Sequence, residues 1–552
     1  MRKLRTLFAI MAVLWSSVYM SAYDFEENGI WYTVSPTTLD AEVSGCSDKN
    51  ITSITIPYWV AYDGKYYSVR SIRNGAFSGC SSLTDITIPN GVTSIGNSAF
   101  SGCRSLTAIT IPDGVTSIGY WAFRDCRNLI AITIPENSQL TSIGDAAFDG
   151  CSSLTTITIP KSVTSIGFNA FSGCSSLTAI NIPKSVTSIG SSAFDGCSSL
   201  TAVHIGDIAA WCNIDFPNVV SNPLYYAKNL YFKGKLVTKL TFPEGMTSIR
   251  NYAFSGCSSL TTITIPEGVT SIGDCAFAGC SSLTTITIPE GVTSIGDAAF
   301  DWCTSLTTIT IPENSQLASI GSCAFYGCSS LTAITIPESV TSIGSSAFSG
   351  CSSLTAITLP ESVTSIGNSV FDGCRGELTV NCNILSVASY DEGAFYNSNF
   401  TKVTIGDKVT SIGDYAFYDC SSLKTVVNYS ELDIIKGTTF YGYVGYYADR
   451  IINIDEAIDN YAFKTIDGVH YLTGYIGADT ELTLPTNYGG DKYQIGESAF
   501  FGCSDLTTIT IPENSRLTSI GSCAFYGCSS LTAITIPESS QLTSIGEYAF
   551  CI

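Results

Sequence analysis

The chain repeats one short pattern of apolar and polar positions over most of its length, and residues 331–353 display it well. Ile334 and Ile336 alternate with Thr335, and this two-residue period predicts a short β-strand with the threonine facing outward. Pro337 ends the predicted strand, because proline has no backbone N–H to donate to a neighbouring strand.

The rest of this unit predicts three further features. Residues 340–343 predict a second extended segment, Gly344 predicts a sharp turn, and residues 347–351 predict a compact, helical turn. One such coil cannot bury its own apolar face, so the coils must stack around a shared core. The side chains expected to point into that core are Leu331, Ile334, Ile336, Val340, Ile343, Phe348 and Cys351.

The length of the repeat indicates the class of fold. Equivalent leucines lie 23 residues apart, as in Leu83, Leu106 and Leu129, and some steps are 25 residues long. The longer steps contain ENSQL at 136–140 and 313–317, which we place on outward loops. This period, with Leu, Ile and Cys at set offsets, is typical of leucine-rich repeats. The sequence therefore predicts a repeat solenoid, mainly β with short helical turns and a parallel sheet.

The repeat is interrupted at defined places, and these interruptions divide the chain. Residues 466–500 also echo the order of features in residues 28–77. The predicted segments are a signal peptide (1–22), an N-terminal cap (23–70), repeat block 1 (71–206), an aromatic-rich insert (207–240), repeat block 2 (241–424), an irregular, cap-like segment (425–494) and repeat block 3 (495–552).

The N-terminus and the charge bear on the compartment. Arg2, Lys3 and Arg5 precede an apolar run at 7–19 that is short for a membrane span, which is the layout of a signal peptide. Removing these three basic residues changes the formal net charge from −21 to −24. A strongly negative net charge without basic clusters argues against nucleic acid and anionic membranes as partners. We expect a secreted or cell-surface protein with no transmembrane segment after signal removal.

Fifteen of the 22 cysteines occupy one position of the repeat, three residues after its phenylalanine. Equivalent thiols of stacked coils point the same way, and parallel Cα–Cβ bonds are poorly placed for disulfides, so we expect a column of buried thiols. Three more cysteines, Cys275, Cys323 and Cys523, lie five residues before a column member. For these, a local bridge such as Cys275–Cys280 is the alternative to free thiols.

The sequence contains no recognisable catalytic or cofactor motif, and we expect no enzyme activity, cofactor or metal. Its only histidines are His204 and His470, in unlike contexts. A glycosidase needs two carboxylates in unlike environments, whereas here equivalent acidic residues follow the strand-ending prolines. A weak calcium site is the alternative to a plain solvated edge for this row. The row consists of Glu267, Glu290, Glu313, Glu338 and Glu361.

A row of outward threonines lies on the predicted strands, about 4.8 Å apart. Such a flat array of hydroxyls suits sugars, peptides or ice-like water, although threonine also simply favours half-exposed strands. The row consists of Thr110, Thr133, Thr158, Thr264, Thr287, Thr310, Thr335 and Thr358.

The unit L-T-x-I-T-I-P-x-x-V-T-S-I-G-x-x-A-F-x-G-C-S-S resembles the BspA-like leucine-rich-repeat family over most of residues 71–552. The insert AAWCNIDF…NPLYYAKNLYF also resembles a segment of such proteins. This resemblance implies a right-handed superhelix on the surface of bacteria or protozoa. Members are described as adhesins that bind matrix proteins such as fibronectin or fibrinogen, or that mediate coaggregation, and the resemblance assigns this function to no single residue.

We therefore expect a non-enzymatic exported protein that binds extracellular matrix or cell-surface proteins or glycans. The alternative is a structural spacer or a surface-layer protein that associates with itself end to end. The segments 207–240 and 425–494 are the expected contact regions, because their aromatic residues look exposed and aromatic residues anchor interfaces. The candidate binding residues are Trp211, Tyr225, Tyr226, Tyr443, Tyr446 and Tyr447.

Overall fold

The computed structural model describes residues 23–385, 393–434 and 443–551. The chain divides into two compact units: unit 1 comprises Met1–Ile263 and Gly273–Ser281, and unit 2 comprises Thr264–Ile272 and Ser282–Ile552. Within each unit the chain winds as a β-solenoid with parallel sheets and almost no helix, and the units contain about 20 turns between them. The predicted repeat solenoid is confirmed.

The strands of the first half of the chain are short. They are β1 (Phe25–Glu27), β2 (Ile30–Ser35), β3 (Asp40–Cys46), β4 (Ser53–Thr55), β5 (Trp59–Tyr62), β6 (Lys65–Ile72), β7 (Asp85–Thr87), β8 (Ser94–Ile95), β9 (Ala108–Thr110), β10 (Ser117–Ile118), β11 (Ala131–Thr133), β12 (Ser142–Ile143), β13 (Thr156–Thr158), β14 (Ser165–Ile166), β15 (Ala179–Ile182), β16 (Ser188–Ile189), β17 (Ala202–Ile205), β18 (Leu230–Phe232), β19 (Lys235–Leu236), β20 (Lys239–Thr241), β21 (Ser248–Ile249) and β22 (Thr262–Thr264).

The second half continues in the same manner. Its strands are β23 (Ser271–Ile272), β24 (Thr285–Thr287), β25 (Ser294–Ile295), β26 (Thr308–Thr310), β27 (Ser319–Ile320), β28 (Ser342–Ile343), β29 (Ala356–Leu359), β30 (Ser365–Ile366), β31 (Arg375–Val380), β32 (Asn399–Ile405), β33 (Thr425–Asn428), β34 (Arg450–Asn453), β35 (Glu456–Ile458), β36 (Tyr461–Ile466), β37 (Val469–Tyr475), β38 (Glu481–Thr483), β39 (Tyr493–Ile495), β40 (Thr508–Thr510), β41 (Leu517–Ile520), β42 (Ala533–Thr535) and β43 (Ser544–Ile545).

Unit 1 contains two long sheets. One has the order β1-β2-β3-β6-β8-β10-β12-β14-β16, with β5 attached to β6, and the other has the order β19-β18-β17-β15-β13-β11-β9. The first three strands form an antiparallel meander, after which β3 pairs with β6 in parallel. From there the repeat strands pair in parallel and in register, so each isoleucine lies beside its copy in the next coil, as Ile118 does beside Ile143.

Unit 2 has the same organisation. Strands β23-β25-β27-β28-β30 follow one another in parallel, and a separate sheet has the order β35-β36-β37-β39-β41-β43. In the latter, β35, β36 and β37 form an antiparallel meander and β37 then pairs with β39 in parallel. This is the topology of the N-terminal strands, and it agrees with the echo between the two stretches of sequence.

The core is a set of columns, each made of one repeat position. All seven side chains expected to point inward from residues 331–353 are buried, and Ala347 is buried with them. In unit 1 the phenylalanines from Phe77 to Phe194 stack with ring centroids 5.2–5.4 Å apart. Stacked rings of this kind bury a large apolar area, so each coil completes the core of its neighbours.

The compact turns predicted at positions such as 347–351 are hydrogen-bonded turns and not helices. Cys351 N donates to Phe348 O at 3.1 Å, whereas Phe348 N donates to Val370 O of the next coil at 2.9 Å. Because the N–H of Phe348 donates to a neighbouring coil, it is not available for the i→i−4 hydrogen bond of an α-helix. The helices of the described residues lie in the insert: α1 (Ile208–Cys212), a 3₁₀ turn (Val219–Ser221) and α2 (Leu224–Ala227).

Most of the short S-I strands are followed by a glycine, and the structure requires this glycine for a different reason from the turn that the sequence predicts. Gly344 was expected to permit a sharp turn, but the left-handed residue here is Ser346, with φ 55°. A Cβ added to Gly344 would lie 2.6 Å from the carbonyl carbon of Gly321 in the preceding coil. This position therefore requires glycine because adjacent coils approach each other too closely for a side chain.

Gly167→Ala tests this close approach. A Cβ at Gly167 would lie 2.6 Å from Asp145 N, so the coils must separate, and we expect a loss of about 1–3 kcal/mol in unfolding free energy. Gly206→Ala is the matched control, because no atom lies within 4 Å of its added Cβ. Urea unfolding followed by circular dichroism measures both variants. Equal midpoints for the two would contradict the steric explanation.

Candidate interaction surface

The outward threonines form an open polar face on the strands. All eight are exposed, as predicted, and Thr110 lies in register beside Thr133 in unit 1 as Thr287 does beside Thr310 in unit 2. In the described part of the chain, the hydroxyls of these four threonines make no side-chain hydrogen bond. They are therefore available to solvent or to a ligand.

Other threonine rows have a structural role. Thr164 Oγ1 donates to Thr141 O at 3.2 Å, and Thr187 Oγ1 donates to Thr164 O at 3.3 Å. Thr178 Oγ1 likewise donates to Thr155 O at 3.3 Å. These hydroxyls link each coil to the one before it and so help to hold the coils in register.

The acidic row in unit 2 is exposed, as expected for a solvated edge. One member, Glu361, forms an ion pair with Lys408 Nζ at 2.8 Å. Among the described residues, no group of three or more His, Cys, Asp or Glu side chains is arranged to hold a metal ion. The calcium alternative therefore gains no support from this row.

Trp211 does not lie on the surface, so the expectation that it is exposed is wrong. Asp207 Oδ1 caps α1 by accepting from Ala210 N at 2.8 Å, and this orients the helix with Trp211 facing inward. The indole is 1% exposed, and its Nε1 donates to Ala253 O at 2.9 Å. Because the insert interrupts the repeat, it must supply apolar core residues of its own. Trp211 does so, and the hydrogen bond of its indole N–H makes its burial favourable.

The two candidate tyrosines of the insert differ in their exposure and in their hydrogen bonds. Tyr225 is 39% exposed, and the Lys228 ammonium lies 5.0 Å from its ring centroid. Tyr226 is half-buried; its hydroxyl donates to Asp195 Oδ1 at 3.1 Å and accepts from Gly196 N at 3.0 Å. Tyr225 is therefore open to a partner, whereas Tyr226 also ties the insert to the preceding repeat.

The candidate tyrosines of unit 2 are half-buried. Tyr446 and Tyr447 meet edge to face with centroids 4.8 Å apart, and the Tyr447 hydroxyl accepts from Asp419 N at 3.2 Å. Tyr443 lies beside them in sequence, and the residues at 435–442 lie outside the described part of the chain. These side chains present part of their rings to solvent.

The most exposed aromatic cluster lies in the cap and was missed by the sequence reasoning. Strands β5 and β6 form an antiparallel hairpin, in which Trp59 is 60% and Tyr66 is 72% exposed. Tyr58 is also exposed, and its ring meets that of Trp59 edge to face at 5.5 Å. We call Tyr58, Trp59 and Tyr66 the hairpin aromatics. Their signal was the alternation of aromatic residues on both sides of Asp63-Gly64, a typical hairpin turn.

The cysteine column is a ladder of sulfur hydrogen bonds. Cys103 Sγ donates to Phe77 O at 3.2 Å, Cys126 Sγ to Phe100 O at 3.2 Å, and Cys151 Sγ to Phe123 O at 3.1 Å. Burial raises the pKa of Cys103 to about 12. Cysteine is a small apolar side chain with one weak hydrogen-bond donor, and this buried position needs both properties. The hydrogen bond to the carbonyl therefore explains the choice of cysteine better than apolar packing alone. No disulfide joins Cys275 to Cys280.

A cleft of about 300 Å³ in unit 2 contains charged groups. Arg450 Nη1 donates to Cys503 Sγ, and its Nη2 donates to Tyr475 O at 2.7 Å. A hydrogen bond from Cys528 and the adjacent guanidinium lower the pKa of the Cys503 thiol. Asp479 and Asp505 also line the cleft, and no imidazole does. The two histidines lie elsewhere: His204 stacks on Tyr231 in unit 1, and His470 Nδ1 contacts Thr465 Oγ1 in unit 2.

A family model for the BspA type leucine rich repeat region matches the chain in six copies. The copies cover residues 44–143, 70–201, 227–354, 314–390, 341–470 and 480–552. The chain belongs to this family. The predicted resemblance to BspA-like proteins is thereby confirmed.

Several solved leucine-rich-repeat structures are similar to this BspA-type chain. One from Bacteroides ovatus is 29% identical, covers 73% of this chain and 94% of its own, and has a TM-score of 0.48. A leucine rich cell surface protein from Faecalibacterium prausnitzii is 24% identical over 93% and 94% of the two chains, with a TM-score of 0.31. No curated protein matches the sequence. No helix among the described residues has the length and apolar character that a membrane span needs.

We expect Trp211→Ala to lower the unfolding free energy of this BspA-type protein by about 3–5 kcal/mol, because it empties a buried site and removes one of the two side-chain hydrogen bonds to Ala253 O. Tyr225→Ala removes an exposed ring of the same insert and should change the unfolding free energy by less than about 0.5 kcal/mol. Urea unfolding followed by tyrosine fluorescence measures both. A Trp211→Ala protein as stable as wild type would show that the indole is not part of the core.

The thiol ladder predicts loss of stability at alkaline pH. Burial raises the pKa of Cys151 and Cys174 well above 9.0, so above about pH 9 the unfolded chain releases protons that the folded chain retains. Each such thiol then lowers the free energy of unfolding by about 1.4 kcal/mol per pH unit. The double variant Cys151→Ala/Cys174→Ala should lose stability less steeply with pH than wild type. Parallel urea-midpoint curves between about pH 7 and about pH 10 would contradict this.

Proposed function

We propose that this chain is a non-enzymatic, exported surface protein that binds host matrix or other cell-surface proteins through its solenoid. Membership of the BspA-type family supports an interaction role. The observation that carries the proposal is the exposure of the hairpin aromatics, Tyr58, Trp59 and Tyr66, on a rigid element of the cap.

The hairpin holds its aromatic residues in a fixed arrangement. Trp59 lies opposite Ser68 and Ala61 lies opposite Tyr66, so Trp59 and Tyr66 share the outward face. Val60 and Tyr67 occupy the other face and are buried, which anchors the hairpin to the cap. Rigid aromatic side chains lose little conformational entropy on binding and provide a large contact area. They are therefore well suited to anchor a protein partner.

The charge of the chain bears on the class of partner. The formal net charge is −21, and the strand-end row in unit 2 is a line of exposed carboxylates. Electrostatic complementarity favours partners with basic or neutral surfaces and speeds association at low salt. The aromatic contacts are insensitive to salt, so a specific complex should persist at physiological ionic strength.

The other candidate residues are proposed as secondary contacts. Tyr225, with Lys228 beside its ring, offers an open aromatic and cationic surface on the insert. Tyr226, Tyr443, Tyr446 and Tyr447 present only part of their rings. Trp211 is left out, because its indole is enclosed.

Binding to immobilised fibronectin, fibrinogen and mucin tests the proposal by biolayer interferometry at low and physiological salt. We expect saturable binding that Trp59→Ala/Tyr66→Ala weakens at least about tenfold, equivalent to about 1.4 kcal/mol. Trp302→Ala, which removes an exposed tryptophan of unit 2, is the matched control and should bind as wild type.

The outcomes separate the alternatives. A folded double variant that binds as wild type would remove the hairpin aromatics from the interface. A folded, monodisperse wild type that binds none of the three proteins would reject them as partners and favour the structural spacer. Concentration-dependent oligomers in place of binding would favour the self-associating surface-layer protein.

A further inference from the structure

A thiol of the cap meets a thiol of the first repeat at the start of the solenoid. The two cysteines do not occupy equivalent positions of the repeat. Cys46 is the last residue of β3 in the cap, and Cys80 is the first member of the cysteine column. Both side chains are buried, and their sulfur atoms lie 3.3 Å apart. A disulfide needs about 2.05 Å, so the sulfurs must approach by only about 1.3 Å.

This contact differs from those in the rest of the column. Cys103 and Cys126 each direct Sγ at a phenylalanine carbonyl of the preceding repeat, at 3.2 Å, whereas the sulfur of Cys80 meets another sulfur. Equivalent residues of stacked coils have parallel Cα–Cβ bonds, which are poorly placed for a bridge. Cys46 belongs to the cap, so this restriction does not apply to it.

The second meander of the chain provides an internal comparison. Strand β37, Val469–Tyr475, has seven residues like β3, and each strand follows an antiparallel partner and pairs next in parallel. Both end in glycine followed by an aromatic or thiol side chain: Gly474-Tyr475 in one and Gly45-Cys46 in the other. The first thiol after the second meander, Cys503, contacts Arg450 and the Cys528 thiol. Cys503 and Cys528 occupy equivalent repeat positions, so among the described residues the contact of a cap thiol with a column thiol is particular to the first cap.

We propose that Cys46 and Cys80 form a disulfide in oxidising surroundings and that this bond fastens the cap to the first coil. In the cell the oxidant depends on the proposed export, whereas the chemistry itself does not. Residues 46 and 80 are 34 apart, and the hairpin aromatics lie in the loop that the bond would close. The disulfide would thus hold the proposed binding hairpin in place.

The reaction is thiol–disulfide exchange with a small-molecule disulfide such as oxidised glutathione. The Cys46 thiolate attacks one sulfur of the oxidant, which breaks its S–S bond and releases one glutathione thiolate. Cys80 then attacks the Cys46 sulfur, forms the Cys46–Cys80 bond and releases the second glutathione thiolate. Two electrons pass from the cysteines to the oxidant, and the two protons lost by the cysteines convert both glutathione thiolates to thiols.

The environment assigns the roles of the two sulfurs. The hydrogen bond between the two sulfurs lowers the pKa of the Cys46 thiol, whereas this bond and burial raise the pKa of the Cys80 thiol. Cys46 is therefore the thiol that attacks first. Because both thiols are buried, exchange takes place during folding or while the cap is transiently open.

The full chain, equilibrated in glutathione buffers from reducing to oxidising, tests the proposal. The samples are alkylated in denaturant, digested without reduction and examined by mass spectrometry. We expect one cross-linked peptide pair containing Cys46 and Cys80, and 20 of the 22 thiols alkylated. In Cys80→Ser the pair should disappear, and in the control Cys103→Ser, whose thiol meets a carbonyl, it should remain.

Hydrogen exchange of the wild-type protein provides a readout that needs no variant. Oxidation should slow exchange of the β5 and β6 amides, and added dithiothreitol should reverse this change. Alkylation of both Cys46 and Cys80 at every glutathione ratio, or cross-linking of either to another cysteine, would overturn the proposal. Binding to matrix proteins is not part of this measurement, so failure of the disulfide is distinguishable from failure of the proposed function.

Discussion

The close approach of successive coils is the constraint on which the rest of each unit depends. The backbone of one coil donates to the next on several sides: Phe148 N donates to Ala170 O at 2.9 Å, and Thr164 N donates to Thr141 O at 2.9 Å. Bonds of this length keep neighbouring coils at the spacing of β-strands. Every side chain then lies beside its own copy, and only residue types that tolerate a copy of themselves at that distance can occupy a column. Glycine is needed where the backbones come closest, as at Gly167.

The columns show which side chains meet this requirement. Phenylalanine rings stack on one another, threonine hydroxyls donate to the carbonyl of the preceding coil, and buried thiols donate to phenylalanine carbonyls. A charged side chain in such an interior column would lie beside a like charge and without water, which is prohibitively unfavourable. The charged residues of the repeat accordingly lie at exposed corners, as Glu338 and Glu361 do. The low charge content of the chain is thus a consequence of its architecture.

Much of this could be predicted from the sequence, because a repeated unit repeats its environment. The inward residues of 331–353 followed directly from the pattern. The role of Gly344 did not, since a turn and a close approach both favour glycine and the difference depends on the neighbouring coil. Trp211 lies in a segment without a repeat, where nothing in the sequence distinguishes a core tryptophan from an exposed one. The hairpin aromatics required knowledge of which face of β6 packs against the cap, and the contact of Cys46 with Cys80 joins residues that share no repeat position.

Chemically distinctive sites arise where the repeat ends, and the reason is physical. Within a regular array each position has nearly the same neighbours, so no thiol, carboxylate or hydroxyl differs much from its copies. At an interruption the neighbour changes: Cys80 meets Cys46, and Cys503 meets Arg450, whereas Cys151 meets a backbone carbonyl. The same interruptions place aromatic side chains that no adjacent coil covers, as on the β5–β6 hairpin. In such a protein the array therefore supplies stability and length, and the caps and inserts are where we propose that specific recognition and reactivity are concentrated.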